Sequence, residues 1–351
     1  MTRVPNRRVG WRPVVAMVSN LLLLTDGCAG ENKPSADTAE ELVPGGNSGI
    51  PVPGPCDPLG SCGWTDLSMA PGAGCGLRQN TRIDCWGDLD DFGRDDFSHG
   101  VGFTDVTLGV LHGCALRRDG LPVCWGAEGA GESDYGQADP PEVPFVAIEA
   151  GAYQTCGLDA GGFITCWGYW GYYHMGRVEP PGSFVQMDAG HYNGCALDAK
   201  GRVTCWGYYV NEGSMVSNPE GTYLRVACGM SCYGVASDGR LVSFGPRYNV
   251  VASPPAGERF MDVSVWGTLA CGLTTAGELR CWGYSDPDSY AKGLSADWDT
   301  VTYPEGPFTK IGVSNYSVCA IRADGTISCM DSCGRPEYDA PYFSPYPGPC
   351  T

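Results

Sequence analysis

Gly194-Cys195-Ala196-Leu197-Asp198-Ala199-Lys200-Gly201-Arg202-Val203-Thr204-Cys205-Trp206-Gly207 is the stretch that decides the fold. It holds a Cys, nine residues, a second Cys and then Trp-Gly. Gly201 stands six positions after the first Cys, where a three-residue hairpin loop needs positive φ and glycine supplies it cheaply. A loop there sets Cys195 across from Cys205. Cross-strand neighbours have Cα atoms roughly 4.5–5.5 Å apart, within reach of a disulfide. Leu197 and Val203, two positions further in, share the face of the Cys pair. The other face carries Trp206 over the small Gly194 and Ala196. With both faces apolar, the hairpin must be sandwiched between neighbouring sheets.

The same unit recurs along the chain. Cys75 and Cys85, Cys114 and Cys124, Cys156 and Cys166, Cys271 and Cys281, and Cys319 and Cys329 repeat the spacing, all but the last pair followed by Trp-Gly. A fifth copy between the fourth and sixth has lost the pair, with Tyr233 and Ser243-Phe244-Gly245 in its place. An aromatic precedes each first Cys by eleven positions (Trp64, Phe103, Phe145, Phe184, Phe260, Phe308), and Tyr223 holds the place in the fifth copy. An aliphatic or Met follows three positions after that aromatic. Seven copies of about 40 residues predict an all-β, seven-bladed β-propeller with cross-strand disulfides. An open stack of such sheets would leave two apolar ends in need of caps, and no cap-like segment is visible.

The pattern F-x-x-[VI] followed by C-A-L-x-x-x-G-x-[VI]-x-C-W-G resembles the regulator-of-chromosome-condensation repeat superfamily over roughly residues 63–335. That resemblance implies a seven-bladed propeller, and the superfamily includes a secreted bacterial β-lactamase inhibitor protein. The doubled Cys resembles exported bacterial relatives rather than nuclear exchange factors. Propellers host unrelated activities, so the resemblance speaks to fold more than to function.

The N-terminus reads as an export signal. Arg3, Arg7, Arg8 and Arg12 precede an apolar run, Val14 to Leu24, that is too short to span a bilayer. Leu24-Thr25-Asp26-Gly27-Cys28 resembles a bacterial lipobox, which makes Cys28 the lipidation candidate; a plain secretory signal is the alternative. The reading divides the chain into a signal peptide (1–27), a flexible polar tether (28–62), the propeller (63–345) and a tail (346–351). The expected location is the bacterial cell envelope or the exterior, with membrane contact only through the lipid.

Of the 19 Cys, twelve fall in the hairpin pairs. Setting Cys28 aside, the remainder is even: Cys56, Cys62, Cys228, Cys232, Cys333 and Cys350. Proximity pairs Cys56 with Cys62, Cys228 with Cys232, and Cys333 with Cys350, as suits an oxidising compartment. The net charge of −18, which loss of four Arg and one Asp with residues 1–27 takes to −21, opposes nucleic-acid binding. With 43 % hydrophobic residues, 52 Gly and 27 Pro, the composition suits short strands joined by turns around a real core.

No nucleophile elbow, H-E-x-x-H helix or phosphate loop occurs, so catalysis is not expected and no cofactor is implied. The segments after Trp-Gly leave equivalent strands and so emerge on one rim. They carry Tyr169, Trp170, Tyr172, Tyr173 and His174, then Tyr208 and Tyr209, then Tyr284 and Tyr290. Tyr and Trp anchor binding surfaces at low entropic cost, so this rim is the candidate contact for a protein or polysaccharide. The bland alternative is that these aromatics pack outer strands. Asp88, Asp90, Asp91, Asp95 and Asp96 form a weak Ca²⁺ candidate, without EF-hand spacing. The expected function is that of a monomeric, exported binding or scaffold propeller. An exported enzyme inhibitor, and behind it a glycan-active enzyme, are the alternatives.

Overall fold

The structure is a computed structural model that describes residues 62–87, 101–127, 131–169, 180–191, 193–207, 216–217, 219–244, 254–283, 303–315, 317–331 and 336–337. The chain divides into two units, Met1–Ser48 and Gly49–Thr351, and every described residue lies in the second. Among the described residues no helix is long and apolar enough to cross a membrane.

Seven antiparallel sheets follow one another, each built from consecutive strands. The fourth repeat is representative: Phe184–Ala189 pairs with Asn193–Asp198, which pairs with Val203–Gly207. The register sets Cys195 opposite Cys205, Leu197 opposite Val203 and Gly194 opposite Trp206. The hairpin loops turn as the glycines predict, with φ near 80° at Gly120, Gly162, Gly201, Gly239, Gly277 and Gly325. Thr81 takes the same turn at φ 67°, and its hydroxyl accepts the Gly102 N–H at 3.0 Å.

All six C-x9-C pairs are disulfides, with Cα–Cα distances of 3.9 to 4.1 Å. That is closer than the unbridged strand spacing expected from sequence, because the short bridge draws the paired strands together. Cys228 and Cys232 also form a disulfide. Cys62 is disulfide-bonded and buried, and its carbonyl accepts an N–H from Arg78 at 2.7 Å. Cys62 thus packs with the first blade rather than trailing from it. Cys28, Cys56, Cys333 and Cys350 lie outside the described residues.

The two apolar faces pack as the repeat demands. The Cys-pair face of one blade meets the Trp face of the next, with Tyr233 and Phe244 holding those places in blade 5 and Met330 the Trp place in blade 7. Cys156, Leu158, Ile164 and Cys166 of blade 3 lie against Phe184, Met187 and Trp206 of blade 4. Cys319, Ile321, Ile327 and Cys329 of blade 7 lie against Trp64, Leu67, Met69 and Trp86 of blade 1, which closes the ring. A backbone bond repeats at each junction: the aromatic N–H of one blade donates to the loop carbonyl of the blade before. Phe145 bonds Gly120 and Tyr223 bonds Gly201, both at 2.8 Å. Trp64 bonds Gly325, also at 2.8 Å, across the closure. No terminal face is left bare, which a solenoid could not achieve.

Candidate functional site: an acidic well on the propeller axis

The first strand of each blade lies innermost. These strands are Trp64–Ala70, Phe103–Leu108, Ala147–Ala150, Phe184–Ala189, Tyr223–Cys228, Phe260–Trp266 and Phe308–Val313. Each touches the first strand of both neighbouring blades, and together they line an axial cavity of about 300 Å³. The first and third positions after the aromatic differ sharply in exposure, because six of the seven strands carry a β-bulge just after the aromatic. The bulge turns the next side chain out to solvent and sets the following positions facing the axis and the neighbouring blade.

Two tiers of polar groups result. Asp66, Asp105, Gln186, Arg225, Asp262 and Lys310 form the outer tier, two positions after the aromatic. Ser68, Thr107, Glu149, Asp188 and Ser264 form the inner tier, four positions after it. Beyond them the strands become buried, and Trp266 of blade 6 packs its ring 5.4 Å from that of His191 of blade 4. The cavity is therefore a well, lined by charged groups where the inner strands begin and narrowed by Trp266 where they end.

Most of these polar groups have a structural task. An inner strand is a sheet edge with unpaired backbone groups. Ser68 Oγ accepts the Leu108 N–H at 2.9 Å, and Thr107 Oγ1 accepts the Ala150 N–H at 2.9 Å. Asp105 Oδ2 accepts the Ile148 N–H at 3.1 Å, and Asp188 Oδ2 accepts the Cys228 N–H at 3.2 Å. Lys310 Nζ and Asp66 Oδ2 pair at 3.3 Å across the ring closure. Glu149 holds the place of Thr107 and Asp188 in blade 3 but is a methylene longer than Asp, and its carboxylate has no hydrogen-bond partner among the described residues.

Five carboxylates face two cations in the well, and the electrostatics follow. Burial, then the charge of Asp66, pushes Asp105 up to about 7 against its two N–H donors. Burial also carries Asp188 up to about 7. Glu149 stands well above the usual carboxylate range through burial and the charges of Asp188 and Asp105. Burial alone would lower Lys310, yet Asp66, Asp262 and Asp105 hold it above its ordinary value. Close-set carboxylates of this kind favour a cation.

The side chains one position after each aromatic stand where the inner strands begin, and of these Met261 and Thr309 line the cavity. In blades 3 to 6 they are Val146, Val185, Leu224 and Met261, between 45 % and 63 % exposed. In blades 1, 2 and 7 they are Thr65, Thr104 and Thr309, whose hydroxyls bond Leu77, Leu116 and Ile321 carbonyls. The mouth is apolar on one arc and polar on the other.

Third strands run parallel to first strands, so they end where the well narrows, and Tyr169, which follows the third strand of blade 3, lies at that end. Its ring lies 4.3 Å from that of Tyr135 and 6.3 Å from that of Tyr153. Trp170, Tyr172, Tyr173, His174, Tyr208, Tyr209, Tyr284 and Tyr290 fall outside the described residues, as do Asp88, Asp90, Asp91, Asp95 and Asp96. The well itself was missed in the sequence. Its signal was present as Trp-x-Asp-Leu-Ser, Phe-x-Asp-Val-Thr and Phe-x-Asp-Val-Ser in the first, second and sixth repeats, a polar residue recurring two and four places after the aromatic.

No family model and no curated protein matches the sequence. Solved structures do. The CRINKLY WD40 ectodomain of the Arabidopsis thaliana receptor kinase ACR4 superposes with a TM-score of 0.61 at 21 % identity, over 78 % of this chain and 96 % of that one. The chain is a seven-bladed β-propeller. The ectodomain of the Physcomitrella patens receptor kinase CR4 gives 0.60 at 21 % identity, covering 76 % of this propeller's chain and 72 % of its own. Human WBSCR16 gives 0.52 at 15 % identity, over 74 % and 82 % of the two chains. At these identities the likeness is one of fold.

Proposed function

We propose that this propeller is an exported, disulfide-rich variant of the regulator-of-chromosome-condensation type, tethered through a lipid on Cys28, that binds a protein and catalyses nothing. The observation that carries the binding reading is the face where the well opens. Four exposed aliphatic and Met side chains from consecutive blades stand where the inner strands begin, beside a charged cavity that Met261 lines, the mix of apolar anchor and polar specificity that marks a contact surface. Export is supported by seven disulfides among the described residues, which persist in oxidising compartments. The plant neighbours, both receptor ectodomains, are consistent with an exterior role for such a fold.

Affinity capture with the oxidised mature protein tests the reading, with two variants beside it. One carries Val146→Ser, Val185→Ser, Leu224→Ser and Met261→Ser; the other carries Tyr169→Ser, Trp170→Ser, Tyr172→Ser and Tyr173→Ser. A protein held by the parent and the tyrosine variant but released by the first places the contact at the well. The reverse pattern moves it to the tyrosine rim, and capture of a polysaccharide in place of a protein changes the partner class. Equal capture by all three defeats both faces.

A further inference from the structure

The well and the arc around it have opposite character, and one occupant satisfies both. We infer that the well takes the side-chain cation of a lysine or arginine on a protein partner, whose flanking aliphatic residues lie on the arc of Val185, Leu224 and Met261. The inference rests on the reading that the well face is the contact face, and it names the chemistry recognised there.

Three observations lead to it. First, the charge is complementary. The well holds five carboxyl groups to two cations, so their full ionisation calls for further positive charge, and Glu149 has neither a hydrogen-bond donor nor a salt-bridge partner among the described residues. An arriving ammonium would give it one, and would offset the repulsion it shares with Asp188 and Asp105. Neither Arg225 nor Lys310 pairs with Glu149 directly, and the charge of Lys310 offsets only part of that repulsion. Lys310 is paired with Asp66 at 3.3 Å, and Arg225 donates to the Leu224 carbonyl at 3.0 Å.

Second, the size fits a side chain. About 300 Å³ is at the low end for a small-molecule pocket, and Trp266 and His191 narrow its far end. A helix or strand cannot enter, whereas one extended side chain can.

Third, the arc excludes simpler occupants. A metal ion or a free amine would leave Val185, Leu224 and Met261 bare, at 63 %, 52 % and 45 % exposure. A polypeptide with aliphatic residues either side of its cation covers them. The arc spans blades 3 to 6 only, so it also fixes which way the partner lies across the mouth. Glu149 and Asp188 belong to blades 3 and 4, on the apolar side, so a cation entering from the arc meets them.

Methyl NMR on the oxidised mature protein with labelled methionines tests this, reading Met261 at the arc and Met187 in the well. The probe is the capped tripeptide acetyl-Leu-Lys-Leu-amide, with Leu-Glu-Leu and Gly-Lys-Gly versions as counterparts and calcium chloride as a separate titrant. The expected result is a saturable shift of Met261 by the Leu-Lys-Leu peptide. Glu149→Gln, which keeps the side-chain volume, is expected to weaken it at least tenfold, and so is the Gly-Lys-Gly change. Leu-Glu-Leu should give no saturable shift. Equal binding of the Lys and Glu peptides would overturn the inference while leaving an apolar contact face intact. Shifts from calcium alone, lost in Glu149→Gln, would overturn it in favour of a metal site. No response of Met261 to any peptide would remove the inference, and the capture experiment above would then show whether the face binds at all.

Discussion

Gly194 shows how tightly single positions are held. A Cβ built there would lie 2.5 Å from the Trp206 ring, which is itself buried between blades 3 and 4. Gly74 and Gly113 stand in the same relation to Trp86 and Trp125. Gly194→Ala is therefore expected to cost about 1–3 kcal/mol, seen as a lower denaturation midpoint at unchanged slope. Glu149 makes the opposite case. Its carboxyl is held above its ordinary range in the fold, so its contribution is full below the unfolded pKa of about 4.3 and is lost as pH climbs through the folded value. Glu149→Gln should consequently raise the melting temperature at pH 8 and leave it unchanged at pH 4. Asp105 and Asp188, both near 7, act in the same sense in the parent protein. His112 and His191, pushed down to about 3 and about 4 by burial, act in the opposite sense below about pH 6.5. The decline with rising pH should thus stand clear only above 6.5. A thermal scan that stays flat from pH 6.5 to 8 would contradict the electrostatic account. At this scale the cysteines and loop glycines were readable from spacing alone. Glu149 was not, because nothing in a single strand distinguishes a polar group facing an axis from one facing solvent.

The fifth blade shows what a hairpin can exchange. Tyr233 and Ser243 occupy the usual Cys positions, and the disulfide joins the first strand to the second, Cys228 to Cys232, with Cys232 facing Phe244 where other blades set a small residue against Trp. Phe244 holds the place of the indole, its ring 5.5 Å from that of Tyr223, and the Cys228–Cys232 bridge packs on the Cys195–Cys205 bridge of blade 4. Sulfurs of Cys195, Cys228 and Cys232 lie within 4.8 Å of one another, and each belongs to a disulfide. Cys228→Ser should release this arrangement. The freed Cys232 thiolate can attack the Cys195 sulfur, forming a Cys195–Cys232 bond as Cys205 departs as thiolate, with no net oxidation. Disulfide mapping by mass spectrometry is expected to find that bridge, with a free Cys205; an intact Cys195–Cys205 pair beside a free Cys232 would contradict it. Sequence proximity alone was enough to pair Cys228 with Cys232. That their bridge rests on another could not be read, since it depends on which face of one blade meets which face of the next.

Over the whole molecule, seven two-faced sheets have one way to bury every face, and the Trp64–Gly325 bond with the Lys310–Asp66 pair records that closure. Closure was legible because repeats number seven and lack caps. The placement of function was less so. Sequence drew attention to aromatics after Trp-Gly, of which Tyr169 alone is among the described residues, at the end where the well narrows; the bulge that builds the other face leaves no residue type of its own. The propeller therefore presents two dissimilar faces, a tyrosine cluster around Tyr135, Tyr153 and Tyr169 and an acidic well with an apolar arc. The most direct test of the second is a crystal structure of the oxidised protein with the Leu-Lys-Leu peptide. The account predicts the lysine ammonium within hydrogen-bond distance of Glu149, about 2.7–2.9 Å, with a leucine on Val185 or Leu224. A peptide ordered on the tyrosine face, with the well empty, would contradict it.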